Sequence, residues 1–199
     1  NPADIPSSHK EKVNKNDHID AGKLARALEN NSLQSIYLPN LAMQQLRSLV
    51  RFRKQLSKEQ TRTKNRIKSL LFYYGYTIPP QFSNSRWSGH FIDWLKDLPF
   101  EYDTFKETLD HLIGLLEHIR QSTKDTIRAL RKHAQDPRIK PLIDILMTVP
   151  GLAFISIITF YSEIMDMDRF ANFDQLACYV GLVPSRVGSG ENEYDRGIS

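Results

Sequence analysis

A single cysteine, Cys178, among 199 residues excludes an intramolecular disulfide framework and any cysteine-rich zinc module, and it suits a reducing compartment. The residue is expected to sit as a small buried hydrophobe. No apolar run reaches the ~18 residues that a membrane span requires, "FISIITFY" (154–161) included, and the first residues lack a signal-peptide pattern. The expectation is therefore a soluble, cytoplasmic chain with no membrane partner. A Gly-rich phosphate loop of the Walker or dinucleotide type is missing, and so is the metalloprotease pattern of two histidines four apart beside a glutamate. His111 and His118 lie seven apart and are read as surface or seam-edge residues. With 40% hydrophobic and 25% charged residues the composition is that of an ordinary globular protein able to bury a core. The chain opens on Asn1 and closes on "YDRGIS" without a capping signal, so it is read as a piece of something longer, cut at both ends.

Charge is present but unevenly spread. Residues 151–199 hold seven acidic residues against Arg169, Arg186 and Arg196, a balance of −4, so the total of +4 leaves +8 on residues 1–150. Within that part, "RSLVRFRKQLSKEQTRTKNRIK" (47–68) carries nine Lys or Arg against the single Glu59. Arg47, Arg51, Lys54, Lys58, Arg62 and Arg66 recur every three or four residues and form one stripe on a helix. Apolar Leu49, Phe52, Leu56, Ile67 and Leu70 follow a similar period on another side, which predicts an amphipathic helix from about Leu41 to Tyr73, stopped by Gly75 and Pro79-Pro80. Unopposed cations at this spacing cost helix stability and suit a phosphate backbone, where each neutralised phosphate releases counterion. A merely solvated basic face is the plainer alternative.

A second long helix is predicted from about Thr104 to Ala134. There Phe105, Leu109, Leu112, Leu116, Ile119, Ile127 and Leu130 step by threes and fours, with one gap at Thr123. Such a heptad seam wants a partner, either the basic helix folded back as a hairpin or the same helix of another subunit in a homo-oligomer. Trp87 and Trp94, between the two helices, are expected to pack against them rather than to stack bases. After Pro137 and Pro141, "LIDILMTVPGLAFISIITFYSEI" (142–164) reads as two apolar helices broken at Pro150-Gly151, similar to a helix-hairpin-helix whose glycine turn brings backbone N–H groups to a DNA phosphate. Gly151 keeps that turn's first glycine, while Ala153 replaces the second, which leaves phosphate binding and plain packing both open.

Two carboxylates stand out in "KNDHIDAGKLARAL" (15–28). On a helix beginning near Asn16, Asp17 and Asp20 share a face and could reach one divalent cation, yet from spacing alone helix capping and the macrodipole are the better explanation of acids at a helix N-terminus. Near the other end, Ser189 sits between Gly188 and Gly190, a triplet that on its own reads as a mobile turn rather than a nucleophile site.

Taken in order, "DHIDA" before a helix, "SIYLP", "LRSLVRFRKQL…KNRIKSLLFYYG", the heptad helix and "TVPGL…SEIMDMDRFANFDQLACYVGLVPSRVGSG" resemble the DEDD-type transposases of bacterial insertion sequences. That family joins a RuvC-like acidic domain to a serine-bearing transposase domain and is guided by a bridge RNA. The resemblance implies that Asp17 and Asp20 are the last two acids of the DEDD set and bind Mg²⁺, that Ser189 is the nucleophile, with Ser185 second, and that DNA and the guide RNA are partners in a nucleoid-associated protein. It places the first Asp and the Glu upstream of Asn1, so the isolated chain is expected to be inactive. A non-catalytic helical nucleic-acid-binding fragment, or a decayed transposase remnant, is the other reading. The fold class expected is mainly α: a remnant of an α/β RuvC-like domain (1–40), a long helical hairpin or coiled coil (41–136), and a small helical domain with the helix-hairpin-helix-like motif (137–199).

Overall fold

The computed structural model describes Ile5, residues 16–33, 35–82 and 87–183, and the backbone of 186–189 and 192–195. Its elements are α1 (Asp17–Glu29), α2 (Leu41–Tyr73), a short 3-10 turn (Pro80–Phe82), α3 (Gly89–Lys96), α4 (Asp103–His133), α5 (Lys140–Met147), α6 (Phe154–Ile164), α7 (Phe173–Val180) and an antiparallel pair, β1 (Arg186–Ser189) with β2 (Asn192–Asp195). The fold is mainly α, as the hydrophobic periods require. "SIYLP" forms no strand; residues 35–40 are irregular.

The helix ends follow local chemistry. Asn16 caps α1 by accepting the Ile19 N–H at 2.8 Å, and Ser88 and Asn172 cap α3 and α7 in the same way. At the far end of α2, Gly75 takes φ +78°, and the Gly75 and Tyr76 N–H groups donate to the carbonyls of Phe72 and Leu71. A side chain at position 75 would strain that left-handed turn, so the basic helix stops where glycine permits it.

The chain forms two compact units, residues 1–40 with 166–199, and residues 41–165. In the second, α2 and α4 pack as an antiparallel helical hairpin, so the heptad seam is met by the basic helix of the same chain. At one end Ile67 and Leu71 of α2 meet Leu109, Ile113 and Leu116 of α4, and α3 closes this cluster with Phe91, Ile92 and Leu95. Trp87 and Trp94 pack here, their rings 5.0 and 5.6 Å from that of Phe91. At the other end Leu46 and Val50 meet Leu130 and Ala134, and α5 and α6 add Ile143, Ile157 and Ile158. Residues 137–165 thus belong to the same compact unit as the hairpin.

Between the clusters the seam turns polar, which accounts for the gap at Thr123. Thr123 and Thr126 return their hydroxyls to the Ile119 and Ser122 carbonyls of α4, at 2.8 and 2.7 Å. The buried Thr63 hydroxyl has no hydrogen-bond partner among the described residues. His111 and His118 are exposed. Cys178 is also exposed, against expectation: Ala177 is the position of α7 that is buried, and the next residue lies about 100° round the helix. Among the described residues no helix is long and apolar enough to cross a membrane.

Candidate functional site

Asp17, Asp20 and Ser189, distant in sequence, belong to one unit. Asp17 and Asp20 occupy the first turn of α1, three apart and exposed, as the spacing requires. Asn16 supplies the side-chain cap, so neither aspartate is needed for it, although both still favour the positive end of the helix dipole. Asp20 accepts a 3.1 Å hydrogen bond from Lys23 Nζ, one turn on, whose stem is almost wholly buried. Hard oxygen donors three apart on one face suit Mg²⁺ in kind. They make only part of a coordination set, since among the described residues no three His, Cys, Asp or Glu gather at metal-binding spacing. Ser189 is the last residue of β1 and pairs with Asn192, so it stands where the two strands turn back on each other. Ser185 lies outside the described residues.

The same unit holds a cation, Arg169, that the sequence marked only as one of three basic residues in 151–199. The Arg169 guanidinium lies 4.2 Å from the ring centroid of Tyr179, 4.5 Å from Phe170 and 5.0 Å from Tyr37. Three electron-rich faces fix one guanidinium in place without neutralising it. Aromatic residues flanking an arginine are too common in sequence to have marked it.

In the second unit the basic stripe divides by role. Arg47 is mostly buried and caps the end of α6: its Nε donates to the Ser162 carbonyl at 3.0 Å and its Nη2 to the Glu163 carbonyl at 3.1 Å and to Met165 Sδ at 3.4 Å. Met165 carries φ +65°, a conformation rarely adopted by a side-chain-bearing residue, and these bonds satisfy the carbonyls that end the helix beside it. Arg51 grips the Glu163 carboxylate with two 2.8 Å bonds. That fork, aided by the nearby charges of Arg47 and Lys54, holds the Glu163 carboxyl below its ordinary range against a smaller opposing effect of burial. The first two cations are therefore opposed rather than free, a correction to the uniform stripe; their acceptors come from a helix more than a hundred residues away. Arg62 bonds Glu59 at 2.6 Å on the surface. Lys54, Lys58 and Arg66 are exposed and make no ion pair among the described residues.

Gly151 has φ +87° in the α5–α6 turn, and a Cβ there would meet no atom within 4 Å. The glycine is required by backbone conformation, not by crowding. α6 then starts at Phe154 after Ala153, which offers no side-chain cap.

Two family models match the sequence: a transposase domain of the IS110 type over residues 2–75, and the transposase of the IS116/IS110/IS902 family over 143–199. Among similar proteins, the transposase for insertion sequence element IS1111A of Coxiella burnetii is 26% identical, over 94% of this chain and 50% of that protein. The putative transposase y4qE of Sinorhizobium fredii is 26% identical over 100% and 46%, and the transposase for insertion sequence element IS1328 of Yersinia enterocolitica 24% over 94% and 54%. The chain spans about half the length of the curated relatives it matches.

Proposed function

Since the chain carries the transposase domains of the IS110/IS116 insertion-sequence family, we propose that it is the part of a DNA transposase that holds two catalytic carboxylates and a nucleophilic serine. The observation that carries this reading is the membership of Asp17, Asp20 and Ser189 in one unit, each aspartate from one family-matched stretch and the serine from the other. In the proposed reaction Ser189 Oγ forms a bond to a DNA phosphorus, and the bond from that phosphorus to one sugar oxygen breaks. The serine proton passes to a base, the leaving oxygen takes up a proton, and a strand end later reverses the step by attacking the phosphoserine. Bond energy is conserved, so strands exchange without an outside source.

Asp17 and Asp20 would hold Mg²⁺ together with carboxylates from the remainder of the parent protein. The ion, when bound, neutralises phosphate charge and eases deprotonation of an attacking oxygen. Arg169 offers the same unit a fixed positive charge for the phosphate under attack. Guide RNA would supply sequence choice by base pairing, so little base readout is expected from side chains. In the complete protein with Mg²⁺, guide RNA and target DNA, Asp17→Asn with Asp20→Asn should abolish strand cleavage while helix content by circular dichroism stays unchanged. Cleavage at the wild-type rate in that double variant would remove the two aspartates from the site.

Exposed Lys54, Lys58, Arg62 and Arg66 would track a nucleic-acid backbone. Replacing all four by Gln should flatten the dependence of duplex affinity on salt by about 0.9 in log–log slope for each phosphate that is no longer neutralised. An unchanged slope would leave them a solvated face. Arg51 is left intact in this test because its loss would also free Glu163. With no three-carboxylate cluster among the described residues and half the length of its relatives, the chain alone is expected to bind nucleic acid without cutting it.

A further inference from the structure

The nine cations of residues 47–68 include Arg53, Lys64 and Lys68, which do not lie on the outward stripe. Lys64 is two residues on from Arg62, about 200° round α2, so it turns away from that cation toward α4, and the exposed Lys68, one turn on, flanks it. Trp87 brings them near Arg120 of α4, whose Nη2 donates to the Trp87 carbonyl at 2.6 Å, while Lys68 lines a cavity with Trp87. Lys64 Nζ stands 5.9 Å from the Trp87 ring centroid. Burial, then the like charges of Arg120 and Lys68, push the Lys64 ammonium below its ordinary pKa. None of the three makes an ion pair among the described residues. Three cations gathered without a carboxylate repel one another, and an anion that joined them would relieve that repulsion.

Beside this cluster, and sharing Trp87 and Lys68 with it, lies a cavity of about 550 Å³. Its walls are largely apolar, with Phe72, Tyr76, Phe82 and Phe91 next to Trp87. Tyr76 is already committed, its hydroxyl donating to the Pro99 carbonyl and its ring stacking on Phe105, so it forms a fixed wall. Phe72 is the reverse case: it lines the mouth and is 87% exposed. The size falls within the range of small-molecule sites, and an aromatic-lined cavity beside a cluster of cations has the chemistry of a base stacked on an aromatic with its phosphate outside.

We propose that this pocket takes an unpaired base of a single-stranded nucleic acid, stacked against Phe72, while Lys64, Lys68 and Arg120 hold the adjoining phosphate. A duplex would not enter, because its bases are stacked inward. The site lies in the 41–165 unit and does not use Asp17, Asp20 or Ser189, so it stands or falls apart from the proposed cleavage chemistry.

The test measures affinity of the 199-residue chain for an oligothymidylate octamer and for an abasic octamer of the same charge. The thymidylate should bind roughly tenfold more tightly, from stacking. Phe72→Ala should erase that difference and leave the abasic affinity unaltered; so exposed a ring can be removed without disturbing the core. Lys64→Gln with Lys68→Gln should weaken both and lower the salt slope by up to about 0.7, the value for one phosphate on a single strand. Equal affinity of the wild type for the two octamers, or a Phe72→Ala loss of the same size on both, would overturn the proposal. So would competition by thymidine monophosphate at octamer-like concentrations, which would make this a free-nucleotide pocket.

Discussion

On the proposed reaction, Ser189→Ala in the complete protein is expected to abolish the covalent protein–DNA link and strand exchange with it. A protein with the wild-type serine, incubated with Mg²⁺, guide RNA and target DNA, should yield a DNA-linked species that survives denaturing detergent. The substitution removes the only atom that forms the bond to phosphorus in the proposed reaction, so the effect is loss rather than slowing. Binding should be untouched, because the hydroxyl adds no charge to the surface. Ser185→Ala supplies the control: four residues upstream on the same stretch, it should leave the link intact. If the link disappears with Ser185→Ala and persists with Ser189→Ala, the roles of the two serines are exchanged.

The second large effect concerns the hairpin. Leu116→Ala should lower the stability of the 41–165 unit by about 2–5 kcal/mol, the usual range for emptying a core leucine site. Leu116 is wholly buried where α2, α3 and α4 meet, so no solvent-facing rearrangement fills the space. Against a total of about 5–15 kcal/mol, this is a large share. Trp87 and Trp94 lie in the same cluster, so their fluorescence during urea unfolding reports this unit directly. The midpoint should fall with little change in slope, whereas Leu115→Ala, next in sequence but 42% exposed, should move it by less than about 0.5 kcal/mol equivalent. Equal shifts for both would mean that the seam does not face α2 as described.

Much of the helical framework was legible because it is written locally. The α2 bounds, Leu41 and Tyr73, follow from an apolar period and a glycine stop, and those of α4 were displaced by one residue at each end. The partner of the heptad seam was not legible, since a leucine stripe carries no label for the helix it meets. Arg47 and Arg51 read as phosphate ligands for a related reason: a sequence shows that cations lack nearby acids, but not that a turn of α6 brings Glu163 and two carbonyls to them. Lys64 and Lys68 fall outside the stripe that the spacing picks out, and the sequence does not show that Trp87 and Arg120 lie beside them. Cys178 was judged by residue type, when its neighbour Ala177 already occupied the buried position. The roles proposed for Asp17, Asp20 and Ser189 rest on the family resemblance, because carboxylates at a helix start and a serine among glycines are each common for structural reasons.

At 1.5 Å per residue, the 33 residues of α2 make a rod about 50 Å long, and the outward cations from Lys54 to Arg66 cover about 18 Å of it. Base pairs rise ~3.4 Å each along a duplex, so that stretch spans only about five of them, half a helical turn. A straight rod of this length lies along one side of a duplex before the backbone curves away. On the proposed binding the hairpin would act as a ruler with a short graduated section, and DNA held over more than half a turn would have to bend toward the rod or be met by a second one.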